Sequence, residues 1–466
     1  MSMSEALTKA LPLLYKLEEL GYETVFVGGC VRDTLLGKKL KDVDIATAAT
    51  PEQVIAAFPH TVPTGLQHGT VTVVYEGETY EVTTFRTESE YEKFRRPSQV
   101  RFVTSLREDL QRRDFTMNSM AMRADGTLVD PFGGQDDLRR GLLRCVGEAD
   151  DRLREDALRI LRAVRFAAAY ELRIAPATWR AILRHRHQLA HIAMERVGLE
   201  CDKMIGGNKP HHAAALLARG GLLSCTKDPL PAELVEAASL YGDSVRLARA
   251  SDKQQQRQNQ QQNQQLAYSI SQLHRLPDGD DRWAAACGAL GLRAGQAVEL
   301  FGLLKYSTAR SERLAAILGV LEAMAPRFIY FREKHASSAQ EWPAEEHRHW
   351  ILTILRFGQP AAKSWCDITI AVPSLLSVRA EADEQPTAVD TYIDFLRSAL
   401  QSMAAGTIKD LAVKGKELMK MADLQPGPWL GRLLQRLLET VALGEITNEK
   451  GPLMAKAAAI LETNEV

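Results

Sequence analysis

Closely spaced cysteine pairs, long apolar runs and a large net charge are all missing from this 466-residue chain. The six cysteines, at positions 30, 145, 201, 225, 287 and 366, form no Cys-x-x-Cys pair, which argues against a zinc site or a dense disulfide framework. The longest apolar runs, such as that of residues 213–223, fall well short of the ~20 residues of a membrane span. We therefore expect a cytoplasmic protein whose cysteines are reduced and which does not bind a membrane.

The overall composition is that of a globular protein. Hydrophobic residues make up 45% of the chain and charged residues 25%, which excludes global disorder. The formal net charge is −1, so any nucleic-acid binding has to come from local basic patches. The N-terminal segment contains acidic residues and no continuous apolar stretch, and it predicts an amphipathic helix rather than a signal peptide.

Strand signals occupy the first 145 or so residues and largely stop beyond Leu138. Strands are predicted at residues 24–27, 43–45, 71–75 and 79–85, with a tight hairpin at Glu76-Gly77-Glu78. The remaining chain places Leu, Ala, Arg and Glu at helical spacing. This order predicts an α+β fold in which an N-terminal head with a mixed β-sheet precedes an elongated all-helical region.

A low-complexity segment interrupts the helical part. Nine of the twelve residues of Gln254–Gln265 are glutamine, which predicts a solvated linker or an extension of a helix. Pro426-Gly427-Pro428 predicts a turn between two helices near the C-terminus.

Two glycines mark the first candidate site. The segment Gly28-Gly29-Cys30-Val31-Arg32-Asp33 follows the first predicted strand directly and opens a helix. Glycine lets backbone N–H groups approach a phosphate closely, and Arg32 in the first turn is placed to add a bidentate contact. The alternative is a plain tight turn with Arg32 paired to an acid.

Three carboxylates form the second candidate site. Asp42 and Asp44 are two residues apart, so on a strand they point to the same face, where two carboxylates can bind the divalent cations used in nucleotidyl transfer. Oxygen ligands select Mg²⁺. Glu81, on the same face of a later predicted strand as Thr79 and Thr83, supplies a third carboxylate. Each acid by itself is equally compatible with a solvated strand surface.

Two arginine-rich segments complete the set. In Arg112-Arg113-Asp114-Phe115-Thr116-Met117-Asn118, the adjacent arginines are suited to a triphosphate or an RNA end, although a helix start capped by Asp114 is an alternative. The turn Asp130-Pro131-Phe132-Gly133-Gly134 follows it. In the segment 155–166, a helix would align on one polar face the residues Asp156, Arg159, Arg162 and Arg165.

An Asp/Arg pair on such a face can select nucleobases. The carboxylate accepts from an exocyclic amine and the guanidinium donates to a ring nitrogen or carbonyl, a pattern that cytosine and adenine satisfy and that uracil and guanine oppose. Ordinary ion pairs three and four residues apart on an amphipathic helix are the alternative explanation.

Taken together and in this order, the segments GGCVRD, KDVDIAT, GTVTV…YEVTTFR, RRDFTMN, DPFGG and EDALRILRAVRF resemble the bacterial class II tRNA nucleotidyltransferases of the DNA polymerase β superfamily. The similarity extends through Met194–Glu200 and through residues 408–452. The loop Thr87–Pro97 has the length expected of enzymes that add both C and A, with Glu88 and Glu90 where the family has aspartate.

The resemblance implies a role for each candidate residue. Asp42 and Asp44 would bind Mg²⁺, and Glu81 would be the third catalytic carboxylate. Gly29 and Arg32 would contact the incoming triphosphate, with Arg113 beside it. The nucleotide pocket would be formed by Asp156 and Arg159, which read the base edge, and by Arg162 and Arg165.

The resemblance also implies four regions along the chain. Residues 1–140 would form the catalytic head, 141–205 the neck that selects the nucleotide, 206–380 a helical body with the Gln-rich insertion near 252–266, and 381–466 a tail that binds tRNA. Glu195 and Arg196 would support the neck helices. The tail's tRNA contacts would come from Lys409, Lys414, Lys416, Arg432 and Arg436.

The implied activity is Mg²⁺-dependent addition of C, C and A to the 3′ end of tRNA from CTP and ATP, with release of pyrophosphate. A narrower alternative is an A-adding enzyme or a poly(A) polymerase, and a non-enzymatic alternative is an RNA-binding helical protein with an inactive head. The resemblance is compatible with a homodimer, although the sequence does not determine the oligomeric state.

Overall fold

The computed structural model describes residues 3–88, 91–92, 96–97, 100–236, 238, 265–335, 344–376 and 387–463. It divides into two compact units, Met1–Leu230 and Pro231–Val466. Most of the predicted Gln-rich segment, residues 254–264, lies outside the described residues, as does Glu90.

A seven-stranded mixed sheet organises the first unit. Its strand order is β11-β10-β1-β2-β5-β4-β3, with β2 and β5 parallel and the other neighbouring pairs antiparallel. The strands are β1 (Thr24–Val27), β2 (Asp44–Thr47), β3 (Thr61–Gly65), β4 (Thr70–Tyr75), β5 (Glu78–Thr84), β10 (Ala121–Met122) and β11 (Leu128–Val129).

Shorter strands flank this sheet. They are β6 (Arg86–Glu88), which pairs with β9 (Val100–Phe102), β7 (Tyr91–Glu92), which pairs with β8 (Arg96–Pro97), and β12 (Leu142–Leu143), which pairs in parallel with β13 (Arg173–Ile174). The β12–β13 pair lies beyond Leu138, where the sequence predicted little strand.

The predicted strands and hairpin are present in the sheet. Along β5, buried Tyr80, Val82 and Thr84 alternate with exposed or half-buried neighbours, as the period of two predicts. The β4–β5 connection has Glu76 and Gly77 at its centre, both with positive φ, as a two-residue type I′ turn requires. At the outer edge, β3 contains Pro63, and its pairing with β4 shifts register between Val62 and Gly65.

Helices cover the sheet and continue the first unit. Five precede the short strand β12: α1 (Glu5–Glu19), α2 (Gly29–Leu35), α3 (Pro51–Ala57), α4 (Leu106–Gln111) and α5 (Gly134–Arg139). Five follow it: α6 (Ala149–Glu155), α7 (Leu158–Ala169), α8 (Pro176–His185), α9 (Met194–Ile205) and α10 (Pro210–Gly220). Helix α1 is the predicted amphipathic helix. Its buried residues recur at helical spacing, and the Ser4 side chain caps its N-terminus.

Helix α4 packs on the sheet face that also carries Asp44. Its residues Leu106 and Leu110 join a buried cluster with sheet residues that include Val25 and Ala46. Because β1 and β2 pair with Val25 opposite Ala46, these two side chains project to the same face, which Asp44 shares two residues upstream. The end of α4 therefore delivers Arg112 and Arg113 close to Asp44.

The described residues of the second unit form helices joined by turns, with no strand among them. Its helices are α11 (Gly279–Ala289), α12 (Ala294–Leu303), α13 (Thr308–His335), α14 (Ala344–Phe357), α15 (Gln359–Ala371), α16 (Thr387–Ser402), α17 (Gly415–Ala422), α18 (Pro428–Ala442) and α19 (Lys450–Glu462), with further helical residues at 232–236 and 265–272. Gly427 precedes α18, so the turn predicted at 426–428 is confirmed. None of the helices described has the length and apolarity that a bilayer crossing requires.

Gly134, the last residue of the turn predicted at Asp130–Gly134, lies against the backbone of Thr116. A Cβ built on it would lie 2.2 Å from the Thr116 carbonyl oxygen, so the Gly134→Ala side chain can be accommodated only if the backbone moves. We expect this change to destabilise the first unit by about 1–3 kcal/mol, measured as a lower thermal midpoint.

Gly295 is the matched control, because it lies in helix α12 and a Cβ there meets nothing within 4 Å. Gly295→Ala should stabilise its helix by up to about 1 kcal/mol. Equal effects of the two changes would contradict the steric explanation.

Candidate active site

The Gly28-Gly29 turn connects β1 to α2 and leaves room beside a cation and a carboxylate. Gly28 has φ 71° and ψ −127°, a conformation that favours glycine. A Cβ on Gly28 would lie 3.1 Å from Arg113 Nη1 and 3.7 Å from Asp44 Oδ2. A side chain at this position would therefore fill the space between these two groups.

Two of the three predicted carboxylates lie on adjacent strands, and the third, Asp42, precedes the first of these strands. Asp44 on β2 is directly opposite Glu81 on β5, and Asp42 is two residues upstream of Asp44. Burial raises the pKa of the Asp44 carboxyl, and the negative charges of Glu81 and Asp42 raise it further, against the opposing effect of Arg113 and Arg32. This accumulation of negative charge is one that a divalent cation would relieve.

Asp42 and Glu81 are exposed, whereas Asp44 is partly buried. Within the described ranges, no group of three or more His, Cys, Asp or Glu side chains is gathered tightly enough to hold a metal ion. The residues thus fit a cation held by one or two carboxylates that completes its shell with other ligands.

One buried carboxylate orients both arginines of the Arg112-Arg113 pair. Asp109 is fully buried. Its Oδ1 accepts hydrogen bonds from Arg112 Nε and Nη2 at 3.0 and 2.8 Å, and its Oδ2 accepts from Arg113 Nε and Nη2 at 3.3 and 3.1 Å. Asp109 Oδ1 also accepts from the Arg86 backbone N–H at 3.3 Å, which ties the start of β6 to the same point.

Arg32 is held at the start of α2 by several partners. Its Nε and Nη2 donate to the two oxygens of Asp33 at 2.9 Å each, and its Nη1 donates to Asn118 Oδ1 at 2.6 Å. The guanidinium also lies over the Tyr170 ring, 4.3 Å from its centroid. Arg32 is paired with an acid, as the structural alternative predicted, and it also lines the cleft described below.

Asp114 joins the RRDFTMN segment to helix α7. Its Oδ2 accepts from Arg162 Nε and Nη2 at 2.8 and 2.6 Å, and its Oδ1 accepts from Asn118 Nδ2 at 3.1 Å and from the Phe115 N–H at 2.8 Å. Burial alone raises the pKa of the Asp114 carboxyl, but the charge of Arg162, the Asn118 hydrogen bond and the charge of Arg159 lower it to about 2. Asp114 is therefore ionised at neutral pH.

Asp156 does not share a helix with Arg159, so the prediction of one continuous helical face was wrong. Asp156 ends α6 with an extended backbone, and its Oδ1 accepts from the Leu158 N–H at 3.0 Å, which satisfies a free donor at the start of α7. Its Oδ2 accepts from Arg196 Nη2 at 2.9 Å.

The other predicted pocket residues are also held by internal partners. Arg159 Nη2 donates to the Arg112 carbonyl at 3.1 Å, and its Nη1 pairs with Glu155. Arg165 pairs with the buried Glu200, with Nε 3.2 Å from Oε2, and its guanidinium lies over the Phe166 ring. Arg165 is the one member of its predicted group that does not line the cleft.

These residues surround one cleft of about 700 Å³ in the first unit. Seven arginines and three aspartates contribute to its lining, which makes it strongly electropositive. Its lining residues include the predicted Gly29, Arg32, Asp44, Arg113, Asp156, Arg159 and Arg162. Asp42 and Glu81 adjoin it through Asp44 but do not line it.

Sequence reasoning missed several functional neighbours in this cleft. They are His68, Arg86, Val100, Asn118 and Phe166, together with the positioning residue Asp109. Asn118 belongs to the RRDFTMN segment, and its spacing of four from Asp114 was the available signal. A helix cap was the predicted alternative for Asp114, whereas its main partner, Arg162, is 48 residues away.

The low pKa of Asp114 generates a pH prediction. A carboxyl whose pKa is lowered on folding contributes stability above its unfolded pKa of 3.8 and loses that contribution as the pH falls toward its folded value of about 2. Asp114→Asn removes the charge opposite Arg162 and should destabilise the protein by about 3 kcal/mol at pH 7.

The measurement is the difference in thermal midpoint between wild type and Asp114→Asn. It should be constant from pH 7 to about 5 and shrink below pH 4. A difference that instead grew on acidification would contradict the assignment of Asp114 as the ionised partner.

Comparisons with known proteins agree with this geometry. A family model described as the poly A polymerase head domain matches residues 24–144. A model for a probable RNA- and SrmB-binding site of polymerase A matches residues 171–225, and one for a putative tRNA nucleotidyltransferase domain 2 matches residues 371–457.

Named relatives cover nearly the whole chain. A CCA-adding enzyme of Geobacillus stearothermophilus is 37% identical over 453 residues, 97% of each chain, and one of Limosilactobacillus reuteri is 35% identical over 455 residues, 97% of this chain and 96% of its own. The crystal structure of the Bacillus stearothermophilus CCA-adding enzyme in complex with CTP superposes with a TM-score of 0.77 at 34% identity, covering 99% of both chains. The resemblance in the sequence motifs is thus confirmed, and the chain belongs to the CCA-adding enzyme family of tRNA nucleotidyltransferases.

Proposed function

We propose that this protein adds C, C and A in turn to the 3′ end of tRNA, using CTP and ATP without a nucleic-acid template and releasing pyrophosphate. The observation that carries the proposal is the pairing of Asp44 with Glu81 beside the Gly28-Gly29 turn, where Asp44 lines a cleft with seven arginines. Acidic strand residues next to a glycine turn and a cationic wall suit a metal-assisted attack on a triphosphate.

Family membership implies a divalent metal, and we propose Mg²⁺ held by Asp42 and Asp44. Mg²⁺ in proteins is bound by one or two carboxylates, water and substrate phosphates, which agrees with a site where only two aspartates are available. When bound, the ion supplies charge neutralisation and polarisation at the reacting phosphate. Glu81, in register with Asp44, would accept the proton of the attacking tRNA hydroxyl.

The triphosphate is proposed to lie on the Gly28-Gly29 turn, between Arg32 and Arg113. The N–H groups that begin α2 and the absence of side chains at both glycines favour close approach of phosphate. The internal ion pairs of Arg32 with Asp33 and of Arg113 with Asp109 hold both guanidinium groups in place before substrate binds.

The nucleobase is proposed to bind at the other end of the cleft, between Asp156 and Arg159. Asp156 supplies an acceptor for the exocyclic amine shared by cytosine and adenine, and Arg159 supplies a donor for the adjacent ring nitrogen. Arg162 and Phe166 line the same cleft, and Arg165 stacks on the Phe166 ring.

We propose a separate function for each of the four regions of the chain. Residues 1–140 are assigned to catalysis, 141–205 to nucleotide selection, 206–380 to the body and 381–466 to tRNA binding. The basic tail residues lie in the helical second unit, on or near α17 and α18. Because tRNA is the substrate, we place the protein in the cytoplasm, and the homodimer stays a prediction.

Extension of defined transcripts tests the activity. Transcripts ending at the discriminator base, after CC and in full CCA are incubated with CTP and ATP, singly and together, and products are resolved to single nucleotides. Addition of three nucleotides to the first transcript and none to the last is expected. A single A added only after CC would establish an A-adding enzyme, long A tails a poly(A) polymerase, and no extension an RNA-binding protein with an inactive head.

Asp42→Asn should abolish transfer at every nucleotide and tRNA concentration, because the amide keeps the shape of the side chain and removes the charge that binds the metal. Initial rates of CTP incorporation across Mg²⁺ concentrations provide the measurement. Asp136→Asn is the matched control, since this aspartate is exposed and lies outside the cleft. Transfer by Asp42→Asn close to the wild-type rate would rule out the ligand role.

Asp156→Asn should lower incorporation of both CTP and ATP by about tenfold to a hundredfold while leaving tRNA affinity unchanged. The amide oxygen can still accept from the Leu158 N–H, so the start of α7 is preserved while the acceptor facing the exocyclic amine is weakened. Asp151→Asn, at an exposed position of α6, is the control. A parallel loss of tRNA binding would refute the assignment to base selection.

A further inference from the structure

We propose that His68, Arg86, Val100 and Phe102 form a binding surface for the unpaired 3′-terminal nucleotide of the tRNA, whose base stacks on Phe102. The inference deepens the proposed function and rests on it, because it names where the acceptor of the reaction lies. The name "primer wall" is used below for these four residues.

The primer wall follows strands that lie on the other side of β2 from the strand before the Gly28-Gly29 turn, and the Asp109 carboxylate binds both the Arg86 backbone N–H and the Arg113 guanidinium. Across the sheet the order is β1, β2, β5 and β4. The Gly28-Gly29 turn follows β1 and Asp44 begins β2, whereas Arg86 follows β5 and His68 precedes β4. His68, Arg86 and Val100 line the same cleft as Asp44, and Phe102 adjoins the cleft through its pairing with Arg86.

The pairing of β6 with β9 puts the wall's side chains on one face. Arg86 is directly opposite Phe102, and Glu88 is opposite Val100. Residues opposite each other in an antiparallel pair project to the same side. Because Arg86 and Val100 face the cleft, Phe102 projects to that side as well.

Phe102 presents an aromatic face at the surface. Its ring packs so closely on Gly69 that a Cβ there would lie 2.7 Å from Cε1, yet the residue keeps 39% of its surface exposed. Within the described residues, no other aromatic ring stacks on Phe102. Within the same residues, the side chain of His68, which precedes Gly69 in the chain, makes no hydrogen bond. The arrangement leaves an aromatic ring and an imidazole available to a ligand.

The floor between the wall and the catalytic carboxylates is polar and open. On the face of β5 and β4 shared with Glu81 lie the hydroxyl side chains of Thr70, Thr72 and Thr83, none of which is buried. Thr70 Oγ1 and Thr83 Oγ1 are 3.0 Å apart. A ribose bound against these hydroxyl groups would lie on the same face of the sheet as Glu81, the proposed proton acceptor.

A single-stranded RNA end is the occupant that these groups favour. Unpaired bases are bound by aromatic stacking that tolerates any base, and Arg86 supplies a cation for the phosphate that precedes the terminal nucleoside. The base of the incoming nucleotide is already assigned to Asp156 and Arg159, so the primer wall is left for the end of the tRNA. Base-tolerant stacking also suits an enzyme whose acceptor ends in the discriminator base, C or CC in successive rounds.

The test uses a tRNA transcript that ends in 2-aminopurine at the discriminator position, without nucleotide present. Stacking on Phe102 should leave the saturated wild-type complex several-fold darker than the Phe102→Leu complex, because leucine keeps the contact with Gly69 but offers no ring. We expect Phe102→Leu to bind the transcript about tenfold more weakly with an unchanged KM for CTP. Phe102→Tyr should behave as wild type.

Tyr15→Leu is the matched control, because Tyr15 is another exposed aromatic, and it lies on helix α1 rather than on the β6–β9 pair. Equal fluorescence of the wild-type and Phe102→Leu complexes, or an equal change in Tyr15→Leu, would overturn the assignment. Extension of an unmodified transcript by wild-type protein and CTP tests the proposed function separately.

Photocrosslinking tests the same surface in the unaltered protein. A transcript with 4-thiouridine as its last nucleotide should crosslink, after irradiation and trypsin digestion, to the peptide Phe102–Arg107 or to the peptide that contains His68. Crosslinks confined to other peptides would overturn the proposal whatever the behaviour of the Phe102 variants.

Discussion

The ion pair between buried Asp114 and half-buried Arg162 is the constraint on which the site depends. It joins the turn that follows α4 to the middle of α7, two segments 48 residues apart. Asn118 contacts both Asp114 and Arg32, so the same network reaches from the proposed base-binding end of the cleft to the start of α2. Breaking it would leave a buried charge without a partner and detach the helix that carries Arg159.

The same principle recurs around the cleft. Arg32 is paired with Asp33, Arg113 with Asp109, and Arg196 with Asp156. A guanidinium held by a carboxylate has lost most of its conformational freedom before the substrate arrives, so less entropy is lost on binding. The arrangement also allows many arginines to share one cleft without destabilising the fold through mutual repulsion.

Much of this could be predicted from the sequence where the pattern is local. The alternation along β5 predicted that Glu81 lies on the face opposite Tyr80 and Val82, and the glycine pair predicted the strand-to-helix turn at Gly28. The position of Asp156 could not be obtained this way, because an aspartate that caps the following helix interrupts the helical period that its neighbours suggest. Asp109 and the primer wall depend on strand order and on long-range pairing, which spacing along a single chain does not contain.

The edge strand β3 has a consequence beyond catalysis. An exposed sheet edge is a template on which another chain can add a strand, which is a common route to aggregation. Pro63 has no N–H to offer, and the shift in register between Val62 and Gly65 bends the strand away from regular pairing. The strand that leads into His68 is therefore a poor template for intermolecular β-sheet growth, which allows the catalytic cleft to lie near an open edge of the sheet without promoting self-association.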